Sequence, residues 1–537
     1  MTDRGMVVAP QPEAAESGVN ILRAGGNAVD AAIATALVQT VVDPLMCGIA
    51  GFGSMAVYDP ATGRQEYLDF HAPAPAAVTE DMWADLVEGE ALDGFGFLLR
   101  GRVNDLGAGA VAVPASLRAY EVAHQKFGKL PWADVVAPAI RWADEGYFVR
   151  PAMYAFFLEG DGYGRAPTRD RLTYSEGGRR LLCDAHGAPK AIGAAIVNPD
   201  YADVLRLIAR DGADALHDGP IGDLVVDAME QGGGLVTRAD LAAVRPTFRP
   251  PLEGTYRGLR IATNQPPGGG VMLLEMLNIL ENFDLAALGH NSTEYIRILC
   301  EVMKRATGDK DRYVGDPGFC EVPLDMLLDK GRAAGMADDI RRGVVAHVPR
   351  LNTHAPVPRD TTHLTVRDGE GCCVALTHSL AMPSGVVPRG TGFMLNGCMS
   401  VFDPRPGKPG SLAPGKSRFT ASAPTIVHDA NGPRLILGAP GGTQIVMGIL
   451  QTILNHFDFG MDIDRAVAAA RVSATSDFID VCNRIPRDVL APLVARGYAV
   501  HRNPHGYTFG WVHAIAVRDG QVTGAADPGR DGVAYRA

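Results

Sequence analysis

A chain of 537 residues is long enough to bury a large hydrophobic core, and its formal net charge of −11 comes without any basic run. Nucleic acid and anionic membrane surfaces are therefore not expected as partners. No stretch of about 18 apolar residues is present, and the residues after Met1 lack the apolar core of a signal peptide. We therefore expect a cytoplasmic protein without a membrane span.

The eight cysteines are scattered through the chain, and we interpret them as reduced thiols of the core. Cys372 and Cys373 are adjacent, so on a strand their side chains point to opposite faces and a disulfide between them is not expected. No Cys-x-x-Cys pair occurs, which gives no indication of a zinc site. We predict neither a metal nor another cofactor.

The first half of the chain alternates between helical and strand patterns, which favours one interleaved unit over several separate domains. Gly25-Gly26 is a stop signal for the first helix. Residues 150–250 are rich in helical patterns, with surface loops expected at 161–171 and 198–200. The predicted elements before that region are helices at 13–24, 28–42, 115–127 and 132–145, and a hairpin of strands 52–58 and 65–69.

A Gly-rich turn, Pro266-Pro267-Gly268-Gly269-Gly270, precedes an apolar helix predicted over 271–282. Backbone amides at a helix N-terminus can hold phosphate. The turn lacks the Lys-Ser/Thr pair of a phosphate-binding loop, so we interpret it as a tight turn near the active site.

A β-hairpin is predicted from 362–368 and 372–380, because Thr, Leu and Val alternate with polar residues on both sides of Gly369-Glu370-Gly371. Thr361 stands at its start, after a loop with two prolines. If the chain is cut between Asp360 and Thr361, the threonine gains an α-amine with a pKa of about 7.7–8.0, a workable base for its own hydroxyl. Taken alone, the pattern also fits an ordinary strand that begins with threonine.

Short strands are predicted next at 393–395, 425–428 and 434–437, followed by an apolar helix over 443–457. Gly441 and Gly442 lie at the N-terminus of that helix, where backbone N–H groups have no partner within the helix. Such a pair suits an oxyanion hole, worth about 3 kcal/mol per donor, although a Pro-Gly-Gly run also fits a simple turn. The chain ends with a helix at 462–470 and a hairpin of strands 511–517 and 521–524.

Five motifs, in order along the chain, resemble those of the γ-glutamyltranspeptidases, N-terminal nucleophile hydrolases that cut themselves before a threonine. They are Leu22-x-x-Gly-Gly-Asn-Ala-Val-Asp-Ala-Ala32, Asp309 with 311–317, Thr361-Thr362-His363, Pro440-Gly441-Gly442, and 524–528 with 530–532. The resemblance implies a four-layer αββα sandwich of the mixed α/β class. Residues 1–360 would form the large-subunit segment and 361–537 the small-subunit segment of one interleaved domain.

The same resemblance assigns catalytic roles. Thr361 Oγ would attack the carbonyl of Asp360 to cut the precursor, and mature Thr361 would then attack a substrate amide and form an acyl-enzyme. Gly441 and Gly442 would hold the oxyanion. Ser379 corresponds to a family threonine whose hydroxyl lies beside the nucleophile.

The substrate-facing positions depart from the family pattern. In the family an arginine that follows Asp-Phe holds the substrate α-carboxylate, further polar residues hold its α-amino group, and a Ser-Ser pair lines the site. A neutral side chain cannot replace a carboxylate against an ammonium group, and histidine is a poor substitute for a bidentate arginine. The corresponding residues here are His71 for the arginine, Ala381, Cys398 and Val401 for the amino-group ligands, and Thr420 and Ala421 for the serine pair.

These departures, with a short segment 403–414 that lacks a lid loop, indicate the acylase and amidohydrolase branch of the family. Hydrolysis of a small amide is expected in preference to transfer. If the acyl group of the substrate carries a carboxylate, that carboxylate could bind Arg389 or Arg418, unless both arginines are solvated surface charges. Two other functions stay open: a true γ-glutamyltransferase or glutathione hydrolase, and an uncut binding protein without catalysis.

His363 and His378 face each other across the predicted hairpin, but only two candidate metal ligands are visible, and we interpret His363 as structural. The expected partners are the amide substrate and the two segments of the same precursor. Pairing of these heterodimers into an α2β2 assembly stays open.

Overall fold

The computed structural model describes residues 4–91, 94, 96–161, 164–350, 361–504, 506–507 and 509–537. No helix in these ranges is both long enough and apolar enough to cross a bilayer. The helices are α1 (Pro12–Arg23), α2 (Ala28–Val42), α3 (Ser116–Phe127), α4 (Trp132–Glu145), α5 (Pro151–Phe157), α6 (Thr168–Thr173), α7 (Glu176–Leu182), α8 (Pro199–Asp211), α9 (Asp214–His217), α10 (Pro220–Gly232), α11 (Arg238–Ala242), α12 (Gly270–Leu280), α13 (Leu285–Leu288), α14 (Thr293–Tyr313), α15 (Leu324–Leu327), α16 (Lys330–Arg341), α17 (Ile445–Phe457), α18 (Ile463–Ala468) and α19 (Arg487–Ala495).

The strands of the described residues form two large antiparallel sheets and three small ones. The first large sheet has the order β20-β1-β11-β12-β2-β3-β8, and the second has the order β19-β18-β14-β13-β10-β9. The strands are β1 (Gly5–Ala9), β2 (Phe52–Asp59), β3 (Arg64–Phe70), β4 (Val87–Glu90), β5 (Phe97–Leu99), β6 (Tyr147–Phe148), β7 (Ala195–Ile196), β8 (Thr247–Arg249), β9 (Leu252–Tyr256), β10 (Leu259–Thr263), β11 (Thr362–Asp368), β12 (Cys373–Ser379), β13 (Thr425–Asp429), β14 (Gly432–Gly438), β15 (Val472–Ser473), β16 (Phe478–Cys482), β17 (Ala499–Asn503), β18 (His513–Arg518), β19 (Gln521–Ala526) and β20 (Val533–Arg536).

The period-two alternation of the strands places apolar side chains on both faces of each large sheet, which produces four layers. On β1, Met6 and Val8 pack between the two sheets with Ile436 and Ile515 of the second sheet. Val7 points the other way, into the core that the first sheet forms with the N-terminal helices. A third core joins the second sheet to α12, α14 and α17. The predicted αββα arrangement is therefore the one observed.

Helix α2 is buried along its whole length and has the predicted bounds of 28–42. Its start is fixed by a capping box, in which the Asn27 side chain accepts from the N–H of Asp30 and the Asp30 carboxylate accepts from the N–H of Asn27. The helix packs on the first sheet next to β11 and β12. It thereby supports the hairpin that carries the candidate nucleophile.

Three predictions about local structure are wrong. Residues 161–171 were expected to be a surface loop, but α6 begins at Thr168, and the buried Arg171 donates to the carboxylate of Asp105 at 2.7 Å. Asn198 is likewise buried, as the N-cap of α8. Residues 393–395 pack in the core without joining a strand. A charged side chain such as Arg171 is expected to be exposed unless a partner of opposite charge meets it. Asp105 is that partner, but it lies 66 residues away in the sequence, so the local pattern does not reveal it.

The segments before and after residue 361 both contribute strands to the first sheet, and the two sets are interleaved. β1 pairs with β11 on one side and with β20 on the other. β12 in turn pairs with β2. The two segments therefore share one sheet and one core.

Candidate active site

Thr361 lies immediately before β11 and is buried, with 6% of its surface exposed. Its hydroxyl donates to Ser379 Oγ at 2.9 Å, and Ser379 Oγ in turn accepts from the N–H of Ala381 at 2.9 Å. The antiparallel register of β11 and β12 brings the two hydroxyls together, because Thr362 is opposite His378. Asp360, the other side of the predicted cleavage site, lies outside the described residues.

A buried polar network lies behind the candidate nucleophile. The Gln39 side-chain amide donates to Thr362 Oγ1 at 3.2 Å and to Gln11 Oε1 at 2.6 Å. Gln39 Oε1 contacts His378 Nε2 at 2.7 Å, and the Nδ1 of that ring contacts the Tyr120 hydroxyl at 2.7 Å. Sequence reasoning missed Gln11, Gln39 and Tyr120 in this network. The available signal was Gln39 in the last turn of a mostly apolar, buried helix, since such a residue needs buried partners.

The predicted face-to-face arrangement of His363 and His378 is wrong. The register pairs His363 with Thr377 and Thr362 with His378, so the two rings point to opposite faces of the hairpin. His363 lies between the sheets, where its ring stacks on His513 with 6.5 Å between the ring centroids. Burial lowers the pKa of His363 well below its usual value and that of His378 to about 3, so both rings are neutral at physiological pH. The described residues contain no group of three potential metal-ligating side chains.

Gly441 and Gly442 form the turn between β14 and α17. Their φ angles are +132° and +54°, and a single 3₁₀ turn over Gly442–Gln444 leads into the helix. Neither amide has a hydrogen-bond acceptor among the described residues. A side chain at Gly438, the last residue of β14, would collide with the His363 ring, so this turn begins beside the nucleophile strand.

Two of the three residues at the predicted amino-group positions lie together. Ala381 and Cys398 are buried in one apolar cluster that also contains Phe52 and Phe402. Ala381 adopts a φ of +54° two residues after β12 ends at Ser379. This wall offers no charge to a substrate ammonium group.

The other predicted substrate positions are distributed around that cluster. Val401 is half-buried and borders a cavity of about 460 Å³, together with Arg350 and Phe419. Thr420 is buried, and its hydroxyl donates to Ser422 Oγ at 3.0 Å. Ala421 packs into the core behind the second sheet, so the structure does not group its side chain with the others.

His71 follows β3 and is nearly buried, with 6% of its side chain exposed. Both ring nitrogens are without a hydrogen-bond partner among the described residues, and Nε2 lies 3.7 Å from Asp69 Oδ1. Desolvation, helped by the charges of Arg418 and Arg249, lowers the pKa of His71 to about 3. Desolvation also raises the pKa of Asp69 to about 6, although the Ser54 hydroxyl donates to it at 2.5 Å.

Of the two arginines that the sequence offers for an acyl carboxylate, only one is inside the protein. Arg418 is 2% exposed, and its guanidinium carbon lies 4.0 Å from the centre of the Phe52 ring. Arg418 Nη1 donates to the carbonyl of Phe419 at 3.0 Å, and Nη2 lies 3.6 Å from Cys398 Sγ. Arg389 is exposed.

A cavity of about 450 Å³ opens next to His71. Pro266 and Pro267 of the Gly-rich turn border it. The N–H of Thr420 donates to the carbonyl of Pro267 at 2.9 Å, which connects this turn to the predicted substrate residues.

Comparison with known proteins places these features in context. A family model described as Gamma-glutamyltranspeptidase matches residues 14–537. The acylase ACY 1 proenzyme of Pseudomonas sp. (strain V22) is 38% identical over 97% of this chain and 92% of that protein. The glutathione hydrolase proenzyme of Escherichia coli (strain K12) is 32% identical over 98% of this chain and 90% of that protein. The crystal structure of cephalosporin acylase from Bacillus halodurans superposes with a TM-score of 0.87 at 29% identity, and the match covers 99% of this chain and 96% of that one.

Proposed function

This chain belongs to the gamma-glutamyltranspeptidase family, and from that membership we propose that it is a self-cleaving acylase that hydrolyses a small amide through an acyl-enzyme. The observation that carries the proposal is the position of Thr361, a buried hydroxyl at the start of a strand, hydrogen-bonded to Ser379 at 2.9 Å. Its acylase and glutathione hydrolase relatives, which are proenzymes, identify the chemistry as amide hydrolysis.

Maturation uses the same hydroxyl as turnover. Thr361 Oγ attacks the carbonyl carbon of Asp360, the bond from that carbon to the Thr361 nitrogen breaks, and an ester joins the two segments. Water hydrolyses the ester, which leaves a carboxylate on Asp360 and a free α-amine on Thr361. Ser379 is placed to accept the hydrogen bond that orients Thr361 Oγ.

Turnover then follows in two steps. The α-amine of Thr361 takes the hydroxyl proton, directly or through water, and Oγ attacks the amide carbon. The N–H groups of Gly441 and Gly442 stabilise the oxyanion until the amine leaves with a proton. Water attacks the resulting acyl ester and restores the threonine.

Hydrolysis is favoured over transfer because the amino-acid clamp is missing. Ala381 and Cys398 are apolar neighbours where the family holds an ammonium group. A γ-glutamyl donor therefore gains little from this wall, and so does an amino-acid-based acceptor. A true γ-glutamyltransferase predicts the opposite result, turnover of γ-glutamyl-p-nitroanilide that rises on addition of an acceptor dipeptide.

The test of the proposal is the intact mass of the purified protein together with N-terminal sequencing. Cleavage before Thr361 would divide the 56.8 kDa chain into pieces of about 38 and 19 kDa, the smaller beginning Thr-Thr-His-Leu. Thr361→Ala should remain one chain and hydrolyse no amide. A Thr361→Ala protein that is still cut at this bond would contradict the mechanism, and a wild-type chain that stays intact and inactive would favour a binding protein.

We place the protein in the cytoplasm as part of this proposal. All eight cysteines are free thiols, a state that a reducing compartment maintains. Cell fractionation tests the location. The large and small segments would form one heterodimer, and native mass spectrometry would show whether heterodimers pair further.

A further inference from the structure

We propose that Gln11 and Gln39 are positioning residues for Thr361, which hold the start of β11 by aiming two amide N–H groups at the hydroxyl of Thr362. The inference rests on the proposed self-cleavage and amide hydrolysis by Thr361. It adds to that function the side chains that keep the nucleophile beside Ser379. Both glutamines act through the residue that follows the nucleophile rather than on the reacting atoms.

Four elements contribute a side chain each to this network beside the nucleophile. Gln11 precedes α1 as its N-cap residue and Gln39 lies in the last turn of α2. Thr362 begins β11, and His378 lies near the end of β12. Each of the four residues is at most 1% exposed. Bulk water does not reach their polar atoms, so each needs a partner inside the protein.

Asp43, directly after α2, gives the network a direction. An ionised carboxylate only accepts hydrogen bonds, so the contact of 2.6 Å with Gln11 places the amide nitrogen of that glutamine on Asp43 Oδ2. Burial raises the pKa of Asp43, and the positive charges of Arg150 and Arg530 oppose that rise. The side-chain oxygen of Gln11 is thereby left to face Gln39.

The same direction continues through Gln39 to His378. Gln39 Nε2 donates to Gln11 Oε1 at 2.6 Å, so Gln39 Oε1 accepts from His378 Nε2 at 2.7 Å. A neutral imidazole has one N–H, so His378 Nδ1 accepts from the Tyr120 hydroxyl at 2.7 Å. All four hydrogen bonds therefore run in one direction, from Tyr120 to Asp43, and in such a chain each bond polarises the next.

This chain uses one N–H of each amide and leaves the other N–H for Thr362. Gln39 Nε2 lies 3.2 Å from Thr362 Oγ1, and Gln11 Nε2 lies 3.3 Å from the same oxygen. A buried N–H without an acceptor is unfavourable, so the two amides together hold the Thr362 oxygen at the point that both reach.

Thr361 is fixed by this arrangement because it is the preceding residue. Its hydroxyl donates to Ser379 of β12 at 2.9 Å, whereas Thr362 is held by the two glutamines of the helical layer. The backbone that follows the scissile bond is therefore held from a strand and from the helices. A displacement of about 1 Å can lower a rate by about 100-fold, so loss of the second contact should slow attack on the scissile peptide and on a substrate amide alike.

Another buried glutamine of the first sheet provides a matched control. Gln65 Oε1 contacts His428 Nε2 at 2.6 Å, and Gln65 Nε2 donates to the Tyr67 hydroxyl at 2.9 Å. The register places Gln65 at the end of the sheet where β12 begins, whereas Thr361 lies where β12 ends. Gln65 therefore has a histidine partner as Gln39 does, but it is remote from the nucleophile.

The experiment follows self-cleavage of the full chain during cell-free synthesis, by the appearance of the smaller piece on a denaturing gel. Gln39→Met should slow cleavage by about 10- to 100-fold, and the cut variant should show a kcat lower by a similar factor with a KM within about twofold of wild type. Gln65→Met should be cut at the wild-type rate, although both substitutions should lower the melting temperature. An unchanged cleavage rate in Gln39→Met overturns this inference alone, whereas a wild-type chain that is never cut counts against the proposed function as well.

Substitutions of Thr362 test the acceptor of the two amides. Thr362→Val removes the accepting oxygen and should slow cleavage as Gln39→Met does, whereas Thr362→Ser retains the oxygen and should be cut within about threefold of the wild-type rate. Combining Gln39→Met with Thr362→Val should be no slower than the slower single variant, because both changes break the same contact. Losses that multiply in the double variant would overturn the proposal.

The comparison at Thr362 also keeps the result decisive if Gln39→Met does not fold, which circular dichroism reports. In that case Thr362→Val and Thr362→Ser carry the test, and equal cleavage rates in these two variants overturn the proposal. Cleavage of Gln65→Met that is as slow as that of Thr362→Val would overturn it too, since the loss would then follow from any buried glutamine or threonine contact.

Discussion

Thr361 stands at the most strained point of the candidate site. Its φ of +88° is far from the regions that β-branched residues adopt, and such a conformation costs of the order of 1–3 kcal/mol. The hydrogen bond to Ser379 and the pairing that begins at Thr362 hold the residue in place. Cutting the bond before Thr361 removes the φ constraint, so cleavage releases this strain.

The raised pKa of Asp69 predicts that the stability of the folded protein depends on pH. Its folded-state pKa of about 6 lies above the ordinary 3.8, so the folded protein retains a proton that the unfolded chain loses between these values. Stability therefore falls as pH rises from 4 to 6 and then levels off, by about 3 kcal/mol for a shift of this size. Asp69→Asn should remove that fall.

Guanidinium unfolding of the wild type and Asp69→Asn between pH 4.5 and 7.5 measures this difference. Only the change of the unfolding free energy with pH is compared between the two proteins, because the asparagine also changes the contact with Ser54. Parallel curves would show that Asp69 ionises with an ordinary pKa.

At the scale of elements, the turn between β14 and α17 carries the proposed oxyanion donors, Gly441 and Gly442, at the end of a strand of the second sheet. A Cβ at Gly441 would lie 3.0 Å from Gly510 Cα, and φ is +132°, so alanine there forces the backbone to move. We expect Gly441→Ala to lower kcat by about 100- to 1000-fold, the loss typical of one oxyanion donor. Steady-state kinetics on an anilide substrate measure it.

The matched control is Gly520→Ala in the turn between β18 and β19. Its φ of +76° imposes backbone strain as well, but the space around it is open. Activity should therefore survive in Gly520→Ala. If Gly441→Ala keeps activity within about twofold of wild type, this turn does not supply the oxyanion donor.

The sequence was sufficient for elements with strong local signals. The capping box and mostly apolar sequence of α2, and the alternating strands around Gly369–Gly371, gave the observed bounds to within one residue. The sequence did not predict the burial of a side chain whose hydrogen-bond partner is distant in the chain. Arg171 and Asn198 are buried because Asp105 and the carbonyl of Gly392 meet them, and no local pattern contains those residues.

The same limit applies to the site. Thr361 and the two glycines were predicted from contiguous motifs and Ser379 from its correspondence to a family threonine, and the structure brings Thr361 and Ser379 together. The choice between Arg389 and Arg418 could not, because both are isolated arginines in loops and only tertiary packing buries one of them. The Gln11–Gln39 pair was missed for the same reason, as its bonds span 28 residues.

For the whole molecule, the first sheet contains strands from both segments, which predicts that cleavage does not separate the two pieces. β11 and β12 from the second segment lie between β1 and β2 from the first, so the two pieces share one hydrogen-bonded ladder. We expect the cut protein to elute as one species in native gel filtration and to separate only in denaturant. Pieces that separate under native conditions would contradict this packing.

The chain's last strand has a consequence for how the protein can be built. β20 pairs with β1, and the N–H of Ala537 donates to the carbonyl of Gly5 at 2.9 Å, so these two residues are neighbours. A short linker can therefore join them, and a circular permutant can begin at Thr361. Removal of the initiator methionine would then free the α-amine of Thr361, and catalysis would no longer depend on an autoproteolytic event.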